Sequence, residues 1–580
     1  MRRRTFLATT VAALGAPALV GLGRRDHDVV LRGGTIIDGS GRPRFVADLA
    51  ISDDRIAAIA PRIVERGERE VDCRGQVVAP GFVDVHSHGD GTLFDDPNAE
   101  GLIRQGVTTI VVGADGSSRA SVRDFVANVA VLSPAPNVGT MIGLGTVRGA
   151  VVGDDDRPAS PTELAAMVRL VEEALTDGAL GASSGLEYTP GAFAPSDELV
   201  ALCRPLAARR LAYHTHMRNE DDRLLEAIDE SIAVARGAGC GLQISHLKTQ
   251  GPRNWGKLDA VFARIEAARA AGVDAAFDRY PYLAYQTGLT NLFPVWSRDG
   301  GTARFFARLD DPATGARMRA ETLDKVALIG GWDNVQITSV SAPEDKPAEG
   351  KRLGAHAAAR GEEPFACTVA MLRRNNGSVG MIGFAMSEEN LERILRHPQG
   401  MVASDGGAFA MSGPARRGVP HPRGTGSFAR VLGRYVRERQ ALTLEQAVHK
   451  STALPASRVG LRDRGTLRAG AFADVTVFDP ATVIDRADFV DPFRYAEGFL
   501  ATIVNGAVAF AEGERFARTG RALRGGGRAD RASAARTQRR MSIPPACCPT
   551  STVATRASDR RSITSTVAFS LPTPSLVTKA

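Results

Sequence analysis

Two histidines follow a short apolar strand early in this chain of 580 residues, and their spacing restricts the fold more than any other feature. The stretch runs Val77-Val78-Ala79-Pro80-Gly81-Phe82-Val83-Asp84-Val85-His86-Ser87-His88. Because residues i and i+2 of a strand point to the same side, His86 and His88 can converge on one point. Two imidazoles that converge at the end of a buried strand are suited to bind one metal ion.

Residues 81–465 alternate short apolar strands with amphipathic helices. One helix is predicted from Thr162 to Asp177 with Ser160 as its N-cap, and strands are predicted at 108–113, 178–183, 211–216, 242–246, 275–278 and 400–405. Strands that alternate with helices indicate a parallel α/β fold, and this length suits a (β/α)8 TIM-like barrel. The segment at about 296–376 breaks the alternation and is predicted to be an insertion over the barrel mouth.

Residues 25–80 and 466–524 have a different sequence pattern, in which short predicted strands are separated by turn residues. We predict that both segments form one small β-sandwich domain and that the barrel is inserted between them. The predicted fold class is therefore α/β, with a (β/α)8 TIM-like barrel and a small β-sandwich formed from both chain ends.

The two termini have compositions unlike the rest of the chain. Arg3-Arg4-Thr5-Phe6-Leu7, followed by an Ala-rich apolar run, is similar to a twin-arginine export signal. We therefore predict a signal peptide over residues 1–24 and an exported protein, periplasmic or extracellular, with no stable membrane span after signal removal. Residues 525–580 are rich in Arg, Ser, Thr and Ala without apolar periodicity, and we predict a disordered tail.

The net charge of +7 comes from those termini. Residues 1–25 carry +5 and residues 525–580 carry +7, which leaves −5 for the residues between them. A basic patch on the folded part is not indicated, so we do not expect nucleic acid as a partner. The six cysteines include no metal-type Cys-x-x-Cys pair.

Ligand-type side chains recur at the ends of the predicted strands. They are His86, His88, His216, His246 and Asp405. Imidazole and carboxylate groups suit zinc and similar divalent ions. Because strand ends meet at one face of a barrel, these residues predict a site for one or two divalent metal ions, zinc first among them.

The chain resembles the amidohydrolase superfamily and, within it, the N-acyl-D-amino-acid deacylases (D-aminoacylases). The resemblance covers residues 28–524 and is carried by Pro80-Gly81-Phe82-Val83-Asp84-Val85-His86-Ser87-His88, Thr215-His216-Met217-Arg218-Asn219-Glu220, Ile244-Ser245-His246-Leu247-Lys248, Asp278-Arg279-Tyr280-Pro281-Tyr282 and Ser404-Asp405-Gly406. It implies that His86 and His88 serve one metal position and that His216 and His246 serve a second. It also implies that Asp405 is the general base and touches the metal.

One ligand position departs from the pattern of the resembled family. Typical D-aminoacylases have a cysteine after the second strand, whereas this chain has Asp115 in Gly113-Ala114-Asp115-Gly116-Ser117. Other amidohydrolases bridge two metals with a carboxylated lysine, but the first lysine of this chain is Lys248. Asp115 and Glu187 are therefore alternative bridging ligands.

The resemblance implies a metal-dependent hydrolase that cleaves the amide bond of N-acyl-D-amino acids to a carboxylate and a free D-amino acid. Lys248 is the predicted cation for the α-carboxylate of this small-molecule substrate, and Tyr282 and Thr287 are predicted hydroxyl donors. Arg279 and Arg423 would read an acidic side chain if the substrate is an N-acyl-D-aspartate or N-acyl-D-glutamate. The alternative for either arginine is a structural ion pair.

Two other functions remain open from the sequence. The first is hydrolysis of a cyclic amide, as in hydantoinase or dihydroorotase relatives, which typically use the carboxylated lysine that this chain lacks. The second is an exported binding protein that is catalytically inactive, although binding alone does not require an acid at Asp405.

Overall fold

The computed structural model describes residues 26–513 and 517–525. The predicted signal peptide, residues 1–24, and all but the first residue of the predicted tail, residues 525–580, lie outside the described residues. No helix within the described ranges is both long enough and apolar enough to cross a lipid bilayer.

The described residues form twenty strands and fifteen α-helices. The strands are β1 (His27–Ile36), β2 (Phe45–Ser52), β3 (Arg55–Ala60), β4 (Gly67–Asp72), β5 (Val77–Pro80), β6 (Phe82–Asp84), β7 (Val107–Val112), β8 (Asn137–Thr140), β9 (Ile142–Gly143), β10 (Ala182–Gly185), β11 (Ala212–His216), β12 (Gly241–Ile244), β13 (Ala275–Arg279), β14 (Ala284–Gly288), β15 (Val335–Ser339), β16 (Gly380–Phe384), β17 (Gly400–Val402), β18 (Val475–Phe478), β19 (Phe499–Val504) and β20 (Ala507–Ala511). The helices are α1 (Glu100–Ile103), α2 (Val122–Leu132), α3 (Leu144–Val151), α4 (Pro161–Asp177), α5 (Ser196–Ala207), α6 (Leu224–Ala238), α7 (Leu258–Ala270), α8 (Gly301–Asp310), α9 (Pro312–Leu328), α10 (Leu353–Ala359), α11 (Pro364–Arg374), α12 (Glu388–Arg396), α13 (Arg423–Arg430), α14 (Leu444–Ser451) and α15 (Ala453–Arg458).

Eight parallel strands enclose a barrel, with β8 and β9 forming one strand interrupted at Met141. Around the ring the order is β6, β7, β8 with β9, β10, β11, β12, β13 and β17. The ring closes between β17 and β6. There, Ser404 N donates to Asp84 Oδ1 at 2.9 Å and Asp405 N donates to His86 O at 2.9 Å. The predicted (β/α)8 barrel is confirmed.

Helices α4, α5 and α6 pack one apolar face each against the barrel strands. The predicted helix at 162–177 is α4. Its N-cap Ser160 and Glu163 form a reciprocal capping box, and Gly178 ends it in a left-handed conformation. Met167 and Val171 point into the core against the strands.

Strands from both chain ends form one further sheet, in the order β20-β19-β18-β5-β1-β2-β3, with β4 also paired to β1. The register of β1 shifts between Leu31 and Gly34; the half before the shift pairs with β4 and the half after it with β5. The glycine at 33 has a φ of +64°, which favours a residue without a Cβ. Apolar residues from both ends, including Leu31 and Val475, then share one core.

A polar cluster joins this sheet to the barrel. Asp474, next to β18, accepts hydrogen bonds from the Arg464 guanidinium, from Asn137 Nδ2 at 3.3 Å and from Asn505 N at 2.8 Å. Arg464 and Asp474 each expose only 3% of their side chains. A buried pair of this kind is stable only when its remaining donors and acceptors are satisfied, as they are here.

Between β13 and β17 the chain leaves the barrel and forms a small subdomain. β14, β16 and β15 build an antiparallel sheet, and this sheet and its helices share a separate core that includes Phe293, Phe305 and Met318. The sheet begins at Ala284 and ends at Phe384, so the subdomain extends beyond the predicted limits of 296–376 on both sides.

Candidate active site

The carboxyl ends of the barrel strands surround a cavity of about 660 Å³. The predicted metal ligands are found at or just after the strand ends: His86, His88, Asp115, Glu187, His216, His246 and Asp405. All of them except His86 line the cavity. This face of a (β/α)8 barrel is where active sites occur.

Three of these residues have a left-handed backbone, which non-glycine residues rarely adopt. The φ angles are 51° at Asp115, 36° at His246 and 52° at Asp405. Backbone strain of this kind concentrates at functional sites. Seven other described non-glycine residues share this conformation, so the strain supports a functional site only together with the ligand geometry.

His86, His88, Asp115 and Asp405 form a first group of ligand atoms. Nε2 of His88 is 3.1 Å from Asp405 Oδ1, and Nε2 of His86 is 3.4 Å from the same oxygen. Both imidazoles also lie 3.4 Å from the Asp115 carboxylate. Four potential ligands therefore surround one point.

Asp115, His216 and His246 form a second group beside the first. His246 Nε2 lies 2.9 Å from His216 Nδ1 and 3.4 Å from Asp115 Oδ2. Asp115 belongs to both groups and approaches all four histidines within 4 Å. Glu187, the alternative bridging acid, approaches one histidine among the described residues, His216 at 3.4 Å, in a third group with Glu220. The geometry therefore favours Asp115 as the shared ligand.

Among the described residues, three buried polar atoms of the first group make no hydrogen bond of good geometry, although each lies within 3.4 Å of another ligand atom: His86 Nε2, Asp115 Oδ1 and Asp405 Oδ1. An unsatisfied buried polar atom costs about 1–3 kcal/mol, so three converging ones require compensation. Imidazole nitrogen and carboxylate oxygen are ligands for zinc and related divalent ions. The residues present thus fit a divalent metal.

The electrostatics of the site favour positive charge. Burial lowers the pKa of His88, but hydrogen bonding and charge from Asp115 and Asp405 outweigh burial and raise it to about 9. Burial acts in the opposite sense on Asp405, yet Arg423 and the neighbouring histidines hold the pKa of this carboxyl far below its usual value. The carboxylates that attract a proton here would equally attract a metal cation.

A layer of buried residues behind the ligands orients them. Asp278, on β13, accepts from His246 N at 2.8 Å and from Gln243 Nε2 at 2.9 Å, and it lies 3.4 Å from His86 Nδ1. Histidine ligands commonly use their second ring nitrogen in this way, which fixes the ring orientation.

The predicted substrate residues are only partly at the cavity. Lys248 and Thr287 line it, but the Lys248 ammonium is 2.5 Å from Glu220 Oε1 and 2.8 Å from His246 Nδ1. Arg279 and Tyr282 do not line it. Side chains alternate along β13, so Arg279 points away from Asp278; it packs on the Tyr280 ring and donates to Tyr282 O.

Arg423 forms an ion pair, the alternative that the sequence left open for it, and Tyr280 has a position that was not predicted. Arg423 Nη1 donates to Asp405 Oδ2 at 2.6 Å, so its charge serves the predicted base. Tyr280 lines the cavity, and its buried hydroxyl has no hydrogen-bond partner among the described residues. The motif Asp278-Arg279-Tyr280-Pro281-Tyr282 contained the signal, since residue 280 shares a side of the strand with Asp278.

Comparisons with known proteins agree with this geometry. Residues 228–510 match the model of an amidohydrolase family. The chain is 38% identical to an N-acyl-D-glutamate deacylase of Alcaligenes xylosoxydans xylosoxydans over 519 residues, which cover 86% of this chain and 96% of the relative. A D-aminoacylase of the same organism is 36% identical over 84% of this chain and 95% of its own length.

A solved structure of a deacylase is also similar to this chain over most of its length. The N-acyl-D-glutamate deacylase of Bordetella bronchiseptica, in complex with zinc and a phosphonate that mimics the tetrahedral intermediate, superposes with a TM-score of 0.74 at 37% identity. The alignment covers 86% of this chain and 99% of the other.

The barrel, its histidine pairs and the carboxylate at the last strand define an amidohydrolase. Within that class, the matches cover more than 80% of this chain at more than 35% identity, which is enough to assign the chain to one family. The chain belongs to the family of N-acyl-D-amino-acid deacylases.

Proposed function

We propose that this protein is a metal-dependent hydrolase that converts N-acyl-D-amino acids to a carboxylate and a free D-amino acid. The observation that carries the proposal is the convergence of buried ligand atoms on His86, Asp115 and Asp405, which lie about 3.4 Å apart at the barrel mouth. Relatives that share more than a third of their residues with this chain act on such substrates.

His86, His88, His216 and His246 would hold one or two zinc ions together with Asp115. When bound, a divalent metal supplies Lewis acidity, which lowers the pKa of water toward neutrality and polarises the amide carbonyl. Glu187 would contribute to metal binding through its contact with His216, because it contacts no other histidine of the two groups.

Asp405 would act as general base and then as general acid. Its Oδ1 faces the imidazoles of His88, at 3.1 Å, and His86, at 3.4 Å, while Arg423 holds Oδ2. The carboxylate is therefore ionised and fixed. With the imidazoles bound to a metal, Oδ1 would be free to accept a proton from the attacking water. Delivery of that proton to the amide nitrogen would allow the amine to leave.

Substrate recognition would involve polar groups on the cavity wall. The hydroxyl of Tyr280, which has no partner among the described residues, is an available donor. The Thr287 hydroxyl donates to the Tyr188 hydroxyl at 3.5 Å, and Lys248 contacts Glu220, so each would bind substrate by exchanging that contact. A substrate held by these groups would present its amide to the centre beside Asp405.

The decisive experiment is a substrate screen of the purified, zinc-loaded protein. N-acetyl-D-amino acids, their L-enantiomers, hydantoins and dihydropyrimidines would be compared by release of free amine or by ring opening, with chelator-treated protein as the control. Turnover confined to the D-series supports the proposal. Turnover of cyclic amides alone would identify the alternative amidohydrolase activity, and specific binding without turnover would indicate an inactive binding protein.

We also propose that the protein is exported, to the periplasm or the cell exterior. The support is the sequence Arg3-Arg4-Thr5-Phe6-Leu7 and the apolar run that follows it. Cell fractionation with N-terminal sequencing tests this. Replacement of Arg3 and Arg4 by lysine should retain the uncleaved protein inside the cell.

A further inference from the structure

His421 stands between two prolines on the loop that leads into α13. It lines the active-site cavity, yet it belongs to neither of the two groups of metal ligands. A residue before proline is restricted to extended backbone, so Pro422 limits the conformations available to His421. The histidine exposes only 2% of its surface, and its polar atoms therefore need partners within the protein.

The hydrogen bonds of His421 fix the tautomer of its ring. Nδ1 lies 3.1 Å from the backbone nitrogen of Arg423, and Nε2 lies 3.0 Å from the backbone oxygen of Ala284. Burial and the charge of Arg423 hold the pKa of His421 well below its usual value, so the ring is neutral. Because a backbone N–H can only donate, Nδ1 accepts, and the ring proton is on Nε2, which donates to Ala284 O.

The first strand of the inserted subdomain holds this ring. Ala284 begins β14, and Gln286 Oε1 on the same strand accepts from His421 N at 2.7 Å. The rings of Tyr282 and Phe489 pack edge-on against the imidazole at centroid distances of 5.0 and 4.9 Å. These contacts together set the orientation in which the imidazole presents Nδ1.

Arg423 is held by that nitrogen. Its backbone N–H is at the start of α13, where N–H groups lack an acceptor within the helix, and Nδ1 of His421 supplies one. From this position Arg423 Nη1 reaches Asp405 Oδ2 at 2.6 Å, and the guanidinium carbon lies 4.9 Å from the centre of the Tyr280 ring. A buried chain of contacts thus connects β14, through His421 and Arg423, to the proposed general base.

We propose that His421 is a positioning residue for hydrolysis, which holds Arg423 so that its guanidinium fixes Oδ2 of Asp405 and leaves Oδ1 facing the metal ligands. The proposal rests on the proposed function, in which Asp405 transfers protons. His421 acts through Arg423 rather than on the reacting atoms. A histidine that only caps α13 would affect stability but not the chemical step, so the two roles predict different kinetics.

Two substitutions each keep one of the two side-chain hydrogen bonds. In His421→Gln the terminal amide can reach Ala284 O but offers no acceptor to Arg423 N. In His421→Asn the shorter side chain can accept from Arg423 N but cannot reach Ala284 O. Both variants remove the ring that packs on Tyr282 and Phe489, so they lose the same aromatic contacts.

The kinetic prediction follows from this difference. His421→Gln should lower kcat about ten- to a hundredfold, because a small displacement of a positioned group is costly, and should keep KM within about threefold of native. His421→Asn should recover part of that loss because it keeps the bond to Arg423 N. In an Arg423→Lys background, His421→Gln should cost less than in the native protein, since the guanidinium that His421 aligns is absent.

Phe489→Leu is the matched control. It removes a ring that packs on His421 but leaves the hydrogen bonds of the imidazole in place. It should lower the thermal midpoint about as much as the histidine variants do and keep kcat within about twofold of native. Zinc content and thermal midpoint would be measured for every variant.

Three results would overturn the proposal: native kcat in both histidine variants, a change in KM alone, or an undiminished effect of His421→Gln in the Arg423→Lys background. If His421→Gln does not fold, His421→Asn allows the same comparison in both backgrounds. The assays use the best substrate of the native protein, either an N-acyl-D-amino acid or a cyclic amide. Turnover of cyclic amides alone would reject the deacylase function and leave this test intact, whereas a native protein without any turnover would overturn both proposals.

Discussion

Replacement of Asp405 by asparagine should abolish turnover while preserving the fold and the metal. Asparagine keeps the size of the side chain, and it tolerates the left-handed backbone that Asp405 adopts with a φ of 52°. The amide oxygen can still accept from Arg423, whose Nη1 lies 2.6 Å from Asp405 Oδ2. The amide cannot take a proton from water, so only the proton transfers are removed.

The size of the effect follows from the double role of this residue. Loss of one well-placed proton shuttle costs about 10²–10⁴ in rate, or about 3–5 kcal/mol of transition-state stabilisation. Asp405 would perform two transfers, so the upper part of that range is expected in kcat, with KM little changed. The hydrogen bond from Arg423 loses its ionic partner, which should cost about 1–3 kcal/mol of stability.

The assay combines steady-state kinetics on an N-acetyl-D-amino acid with metal analysis and thermal unfolding of the same preparation. Arg423→Lys serves as a control, because it alters the partner of Asp405 but leaves the proton acceptor in place. Near-native kcat in Asp405→Asn, with normal zinc content, would refute the assignment. The base would then be sought at Asp115, Glu187 or Asp278.

Three further predictions concern the metal, the chain end and the junction between barrel and sheet. Asp115→Asn should lower zinc content far more than Glu187→Gln, since only Asp115 contacts all four histidines; equal losses in elemental analysis would contradict this. A chain that ends after Arg528 should keep its activity and thermal midpoint, whereas one that ends after Gly513 should lose stability, because residues 519–523 hydrogen bond to Asn505 and Val138. Arg464→Met should cost about 3–5 kcal/mol by leaving Asp474 buried and unpaired, and an unchanged denaturation midpoint would show that the pair contributes little.

The barrel and the metal ligands could be predicted because their signals are local. Apolar strands that end in His86-Ser87-His88, His216 or Asp405 place ligand-type residues at known ends of known elements, and barrel topology then brings those ends together. The cap at Ser160 and the helix after it are equally local, since a few neighbouring residues determine both.

The positions of the arginines could not be predicted because they depend on long-range packing. Arg279 and Arg423 were candidates for reading an acidic substrate, yet one lies away from the cavity and the other binds Asp405.

The sheet built from both chain ends has a consequence for biosynthesis. β5 pairs with β18, which lies about 400 residues later in the sequence. One edge of β5 therefore stays unpaired until the ribosome has synthesised β18. At about 5–20 residues per second, that edge waits roughly 20–80 s for its partner. An open strand edge is a template for pairing with other chains. During this interval, slow collapse of the nascent polypeptide or a chaperone must protect the β5 edge from pairing with other chains. Faster translation shortens the interval and should therefore raise the yield of native protein.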